Sequence, residues 1–143
     1  ILGSGEWEFE TFFHNAAQNH PDKVALKLGF NPQLAHKIYA GADMFLMPSK
    51  FEPCGLSQMI AMRYGTVPIV RSTGGLRDTV LPPESAEGCG FVFEQYDAYH
   101  LLCEVRRAPD EFAALRRRGM TKDFSWDASA REYLRIYESI SGR

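Results

Sequence analysis

The chain has only three cysteines in 143 residues, Cys54, Cys89 and Cys103. Their odd number and their lack of metal-type spacing argue against a disulfide scaffold and point to free thiols in a reducing compartment. No sign of charge dominates. The 16 Lys and Arg are set against 18 Asp and Glu, for a formal net charge of -2. Such a balance offers no argument for nucleic acid or an anionic membrane as the main partner. No apolar run approaches the roughly 20 residues of a membrane-spanning helix. The first residues do not read as a secretory leader. Internal repeats and low-complexity tracts are absent. The four histidines, His14, His20, His36 and His100, lack metal-ligand spacing, so each reads as a packed or surface residue. What is present is a 45% hydrophobic and 24% charged composition, which suits one globular domain with a sizeable core.

Helical and extended patterns alternate along the chain. Ile1-Leu2 reads as the stub of a strand, with no Met before it, and suggests a piece of something longer. Trp7, Phe9, Phe12, Phe13, Ala16 and Ala17 give residues 6–18 the period of an amphipathic helix. Residues 24–28 form a short strand and 32–39 a helix. Residues 44–47 form an apolar, buried strand closed by Pro48. A helix is expected over 56–64 and a strand over 67–70, with Pro68 near its start because proline cannot donate to a ladder. A short helix over 75–80 and a strand over 90–93 follow. Helices are expected over 97–107, 110–119 and 127–139. Residues 81–88 read as a surface loop. This alternation predicts an α/β fold, a Rossmann-like parallel sheet flanked by helices. Ligands of such sheets bind in the loops that leave the carboxyl ends of the strands.

Those loops carry the candidate chemistry. Pro48-Ser49-Lys50-Phe51-Glu52-Pro53-Cys54-Gly55-Leu56-Ser57 links a strand to a helix. The first N–H groups of that helix have no intrahelical partner and suit a phosphate. Gly55 admits a ligand close to the backbone. Ser57 is either a hydroxyl donor to the ligand or a helix cap. Glu52 is either an acceptor for sugar hydroxyls or a solvated loop acid. The next strand ends in Arg71-Ser72-Thr73-Gly74-Gly75-Leu76, a second possible phosphate cradle. Alone a Gly-Gly turn is weak evidence, but two such loops on adjacent strands suit a diphosphate gripped from both sides. Arg71 either neutralises that charge or is a surface cation. Gly3-Ser4-Gly5 is either a close approach to a ribose or base, or a tight turn. Phe30, at the same end of the sheet, either stacks on a nucleobase or packs in the core.

Ser49-Lys50-Phe51-Glu52-Pro53-Cys54-Gly55-Leu56, Arg63-Tyr64-Gly65-Thr66-Val67-Pro68 and Thr73-Gly74-Gly75-Leu76 together resemble bacterial glycogen synthases and plant starch synthases. Ala35-His36-Lys37-Ile38-Tyr39-Ala40-Gly41-Ala42-Asp43 and Asp123-Phe124-Ser125-Trp126 resemble the same family. The resemblance covers nearly the whole chain. It implies the C-terminal, nucleotide-sugar-binding domain of a two-domain GT-B glycosyltransferase, spanning residues 1–143. The implied donor is ADP-glucose and the acceptor an α-1,4-glucan, extended with retention and without a metal or other cofactor. By matching position, Glu52 resembles the family's essential sugar-contacting acid. Cys54, Gly55, Leu56 and Ser57 resemble the loop and helix start at glucose and phosphate. Thr73, Gly74 and Gly75 resemble the neighbouring loop, and Phe30 the ring against adenine.

There are departures. Related retaining transferases often carry a second Glu eight positions after the first, where Ile60 stands here, as in glycogen synthases. The segment Arg106-Arg107-Ala108-Pro109-Asp110 is shorter than the family's. The family's Lys-x-Gly-Gly-Leu loop and its diphosphate-neutralising Arg and Lys are not in this chain. The chain alone is therefore expected to bind ADP or ADP-glucose weakly and to transfer no glucose, with the missing N-terminal domain as its partner. The apolar stripe Tyr133, Leu134, Ile136, Tyr137 and Ile140 on the helix over 127–141 is expected to face that domain. Arg116-Arg117-Arg118 with Lys122 read as a solvated helix end. The implied location is bacterial cytoplasm, or a plastid for a starch synthase. Two other readings stand beside this one: another GT-B enzyme such as a sucrose synthase or a trehalose-forming enzyme, which Cys-Gly-Leu after Glu-Pro argues against, and a non-catalytic nucleotide- or glucan-binding module.

Overall fold

The computed structural model describes residues 1–107 and 112–142. The chain divides into two compact units, Ile1–Ile38 and Tyr39–Arg143. In the first, β1 (Leu2–Gly3) pairs in parallel with β2 (Lys27–Leu28), and α1 (Trp7–Asn19) lies between them in sequence. Trp7, Phe9 and Phe12 on α1 are exposed. α2 (Pro32–Gly41) carries the chain into the second unit. It begins where Pro32 has no N–H to lose and where Asn31 Oδ1 accepts from the N–H of Leu34 at 2.9 Å.

The second unit is built on a three-stranded parallel sheet. Its order is β3 (Met44–Met47), β4 (Val67–Arg71), β5 (Phe91–Phe93). The expected parallel α/β arrangement is present, but the described strands form two sheets and not one. Between and after these strands come α3 (Ser57–Arg63), α4 (Gly74–Thr79), α5 (Ala98–Arg107), α6 (Phe112–Thr121) and α7 (Trp126–Ser141). The start of α6 expected at Asp110, and the Ala108 to Asp110 part of the short segment, lie outside the described residues.

β4 is the centre of this unit. Residues alternate across a strand, so they feed two faces. Val67 and Ile69 join Phe91, Phe93 and Leu115 in one core cluster, on the side of α5 and α6. Val70 joins Met62, Leu76, Val80 and Cys89 in the other, on the side of α3 and α4. Each fully buried side chain of this kind contributes about 1.5–3 kcal/mol. β3, expected to be buried, is one of the two outer strands of this sheet and only half-buried, with Leu46 49% exposed.

The basic cluster on α6 is more than a solvated helix end. Arg116 pairs with Asp43 at 2.9 Å and stacks on Phe112. Arg118 donates to the carbonyl of Ala86 at 3.2 Å, and Lys122 Nζ to that of Thr79 at 2.9 Å. Long side chains here reach across to carbonyls and a carboxylate, which fixes α6 against its neighbours. The loop over 81–88 is also firmer than expected. Cys89 and Gly90 both donate to the carbonyl of Leu81, and Pro83 and Gly88 are buried.

Candidate functional site

β3 and β4 are neighbours in register, Met47 opposite Val70. The loops that leave their carboxyl ends therefore emerge side by side. They are joined backbone to backbone, with Gly75 N–H donating to the carbonyl of Glu52 at 3.1 Å. This contact explains the double glycine. A Cβ on Gly74 would lie 1.9 Å from the Glu52 carbonyl oxygen, and one on Gly75 would lie 2.1 Å from that of Cys54. Gly55 has a φ of +74°, in the region that favours glycine.

Arg71 sets the first loop from below. Its Nη1 donates to the carbonyl of Ser49 at 3.2 Å and also to that of Lys50. Its guanidinium lies over the ring of Tyr96 at 5.4 Å. It is thus not a loose surface charge, and its Nε is buried with no partner among the described residues. It is a strut between β4 and the loop before Glu52. The loop after β5 is held at the same end of the sheet, where Ser72 N–H donates to the carbonyl of Phe93 at 2.8 Å.

The groups left open are those a ligand would need. Glu52 is half-buried, and its carboxylate has no hydrogen bond or ion pair with any described residue. α3 starts after Leu56, whose side chain provides no cap. Its first N–H groups, those of Ser57, Gln58 and Met59, meet no acceptor among the described residues. Ser57 is the first residue of α3 and half-buried, so its hydroxyl does not cap the helix. Cys54 and Leu56 are exposed beside it. The second loop is different. Thr73 is the N-cap residue of α4 but makes no side-chain cap bond. The N–H groups of Gly75 and Leu76 are already spent on Glu52 and Thr73. The two loops thus differ in their donors: α3 leaves its first three N–H groups open, while at the start of α4 the N–H of Gly75 holds the first loop and that of Leu76 turns back on Thr73.

Three other predicted residues belong to the first unit. The carbonyl of Gly3 accepts from the N–H of Gly29 at 3.0 Å, so Gly3 and the segment leading to Phe30 share one edge of the two-stranded sheet. Gly5 N–H is held by Glu10 Oε1 at 2.9 Å. Gly3, Ser4 and Gly5 line a hollow of about 220 Å3 with Leu2, Phe9 and Leu28 among its other walls. Phe30 is 94% exposed, which excludes the core-packing alternative and leaves its ring face open. Among the described residues no cluster of three or more His, Cys, Asp or Glu has metal-binding geometry.

Sequence reasoning missed Gln58 and Thr79. Gln58 is fully buried. Its Nε2 donates to the carbonyl of Gly55 at 2.7 Å and to Thr79 Oγ1 at 3.0 Å. The available signal was periodicity. Gln58 shares the helical face of Ala61 and Met62, so it is a polar side chain at a core position of α3.

Comparison with known proteins bears on this arrangement. Residues 1–114 match the model of the family described as glycosyl transferases group 1. The chain is 51% identical to glycogen synthase of Anoxybacillus flavithermus, over 98% of this chain and 31% of that protein. It is 48% identical to glycogen synthase of Thermotoga petrophila, over 96% of this chain and 30% of that one. Among solved structures it resembles the catalytic domain of starch synthase IV from Arabidopsis thaliana bound to ADP and acarbose. The TM-score there is 0.80 and the identity 34%, over 99% of this chain and 31% of that one. Sucrose-phosphate synthase from Thermosynechococcus elongatus follows at a TM-score of 0.70 and 25% identity, over 99% and 38%. The chain thus spans about a third of the length of these relatives.

Proposed function

This chain belongs to the group 1 glycosyl transferases, and from that premise we propose that it is the donor-binding part of a retaining glycogen or starch synthase. Its α/β fold is that of the GT-B transferases, as in the starch synthase it matches. The proposed donor is ADP-glucose and the proposed acceptor an α-1,4-glucan. The higher identity to glycogen synthases than to sucrose-phosphate synthase supports this choice over other GT-B chemistry.

One observation carries the reading. A carboxylate, Glu52, and a set of helix N–H groups, those of Ser57 to Met59, all without partners among the described residues, lie a few residues apart on one braced loop. N–H groups at a helix start bind phosphate oxygens. A carboxylate accepts hydrogen bonds from sugar hydroxyls, and charged acceptors make the stronger bonds. Phosphate and glucose are joined in the donor, so one loop holds both sides of the bond that breaks. In the first unit, taken by itself, Phe30 presents an open ring face of the kind that stacks on a nucleobase. No metal ion enters this scheme.

The reacting bond leaves negative charge on the departing nucleotide, and preorganised positive groups must meet it. Arg71, the cation at the base of this loop, spends its Nη1 on the carbonyls of Ser49 and Lys50. We assign the further cations for transfer to the remainder of the enzyme, together with the acceptor site. The apolar stripe of α7 is the proposed seat for that remainder.

Titration calorimetry of the chain with ADP, ADP-glucose and UDP-glucose tests the reading. ADP-glucose is expected to bind most tightly. Glu52→Gln is expected to erase its advantage over ADP, about tenfold for one charged hydrogen bond, and to leave ADP binding unchanged. Equal binding of ADP and ADP-glucose by the unmodified chain would defeat the proposal. Labelled ADP-glucose with glycogen is expected to give no turnover by the chain alone.

A further inference from the structure

We propose that Gln58 and Thr79 are positioning residues for Glu52 and set how well the site tells a glucosylated nucleotide from a bare one. This rests on the donor-binding reading above.

A buried amide costs about 2–7 kcal/mol unless it is hydrogen-bonded. Gln58 stands on a helix face otherwise filled by Ala61 and Met62, so its presence needs a reason. The reason is a closed circuit between the two loops. Gln58 Nε2 donates one hydrogen to the Gly55 carbonyl at 2.7 Å and the other to Thr79 Oγ1 at 3.0 Å. The Thr79 hydroxyl donates in turn to the Gly75 carbonyl at 2.7 Å. The Gly75 N–H donates to the Glu52 carbonyl at 3.1 Å. Both hydrogens of the amide are spent, and the hydroxyl accepts once and donates once; the amide oxygen, Gln58 Oε1, is buried and has no partner among the described residues.

The circuit leaves the loop at Gly55 and returns to it at Glu52. The Glu52 side chain has no partner among the described residues, so backbone placement decides where its carboxylate stands. The N–H groups of Ser57 to Met59 belong to α3 itself and do not depend on the circuit. Opening it therefore disturbs the sugar side of the site and spares the phosphate side.

Two variants open the circuit with little change of volume, Thr79→Val and Gln58→Met, and Thr79→Ser restores the hydroxyl. Amide exchange by NMR and titration with ADP and ADP-glucose are read on each. Loss of one hydrogen bond predicts about tenfold faster exchange at Gly75 in the two opened variants. Exchange at Ile69 and Val70 in β4 is expected to stay as in the unmodified chain. The preference for ADP-glucose over ADP is expected to fall about tenfold by the same reasoning, with ADP affinity held in Thr79→Val and with Thr79→Ser close to the unmodified chain. Unchanged Gly75 exchange, or an intact preference despite faster exchange, overturns the inference alone. Faster exchange throughout β4 in both opened variants assigns the pair to general stability and overturns it too. An unmodified chain that prefers neither ligand overturns the donor reading instead.

Discussion

β4 and α7 show two ways in which an apolar pattern ends up in a fold. Val67 to Val70 are all buried, with helices on both faces of the sheet. α7 is three times as long and has no buried residue. Its Trp126 is 88% and Ile140 78% exposed. Both segments were equally readable as secondary structure. The difference is that β4 has neighbours on every side, whereas no described element covers the α7 stripe enough to bury any of its residues. A strand so enclosed fixes the loops that leave it, and those loops carry the candidate site. A helix of this second kind contributes a surface.

The largest test of that contrast lies in the core beneath the site. Phe91→Ala empties a fully buried ring position and is expected to lower stability by about 3–5 kcal/mol in urea unfolding. Gly75→Ala comes next, at about 1–3 kcal/mol or more, because the added methyl would press on the Cys54 carbonyl. It is also expected to abolish the proposed preference for ADP-glucose, since the Gly75 contact with Glu52 must open. A Gly75→Ala chain with unmodified stability and binding would show that the two loops are not braced as described.

On α7 the expected effect is much smaller. Replacing Ile136 and Tyr137 together by Gln is expected to shift stability by no more than about 0.5 kcal/mol per position, the usual range for surface sites. A fall in the urea midpoint comparable to that of Phe91→Ala would mean that the stripe is packed in this chain and would erase the contrast with β4.

Much of the site was legible in the sequence because its signals are local. Pro48, Pro53 and Gly55 punctuate a strand-to-helix loop, and Gly74-Gly75 punctuate the next. Both loops lie where the strand order places them. What escaped was every role decided by long-range contact. Arg71 looked like a free cation, yet the carbonyls it holds lie 21 and 22 positions back. Gln58 looked like one polar residue in a short helix, because its partner Thr79 stands 21 positions on. The basic residues of α6 looked solvated because Asp43 is 73 positions from Arg116. Periodicity states which face of an element is apolar. It does not state which polar side chain will find a carbonyl on another loop.

The smallest effect concerns how α7 begins. Ser125 caps it, with Oγ accepting from Ala128 N–H at 3.2 Å, and Asp123 Oδ1 accepts from Ser125 N–H at 2.9 Å. Hydrogen bonds from Ser125, by side chain and then by backbone, hold the Asp123 carboxyl below its ordinary 3.8. A folded-state value below the unfolded one means that the charged form is favoured by folding. The contribution is therefore complete above the ordinary value and fades as pH falls through the lowered one. Asp123 is exposed, so the effect is local and slight. Carboxyl chemical shifts followed by NMR as pH falls from neutrality are expected to show Asp123 titrating below 3.8, with the Ser125 and Ala128 amides moving in step. In Asp123→Asn those amides should no longer respond in that range. A midpoint at or above the ordinary value would remove this anchor, leaving α7 tied at its start by the Ser125 cap alone.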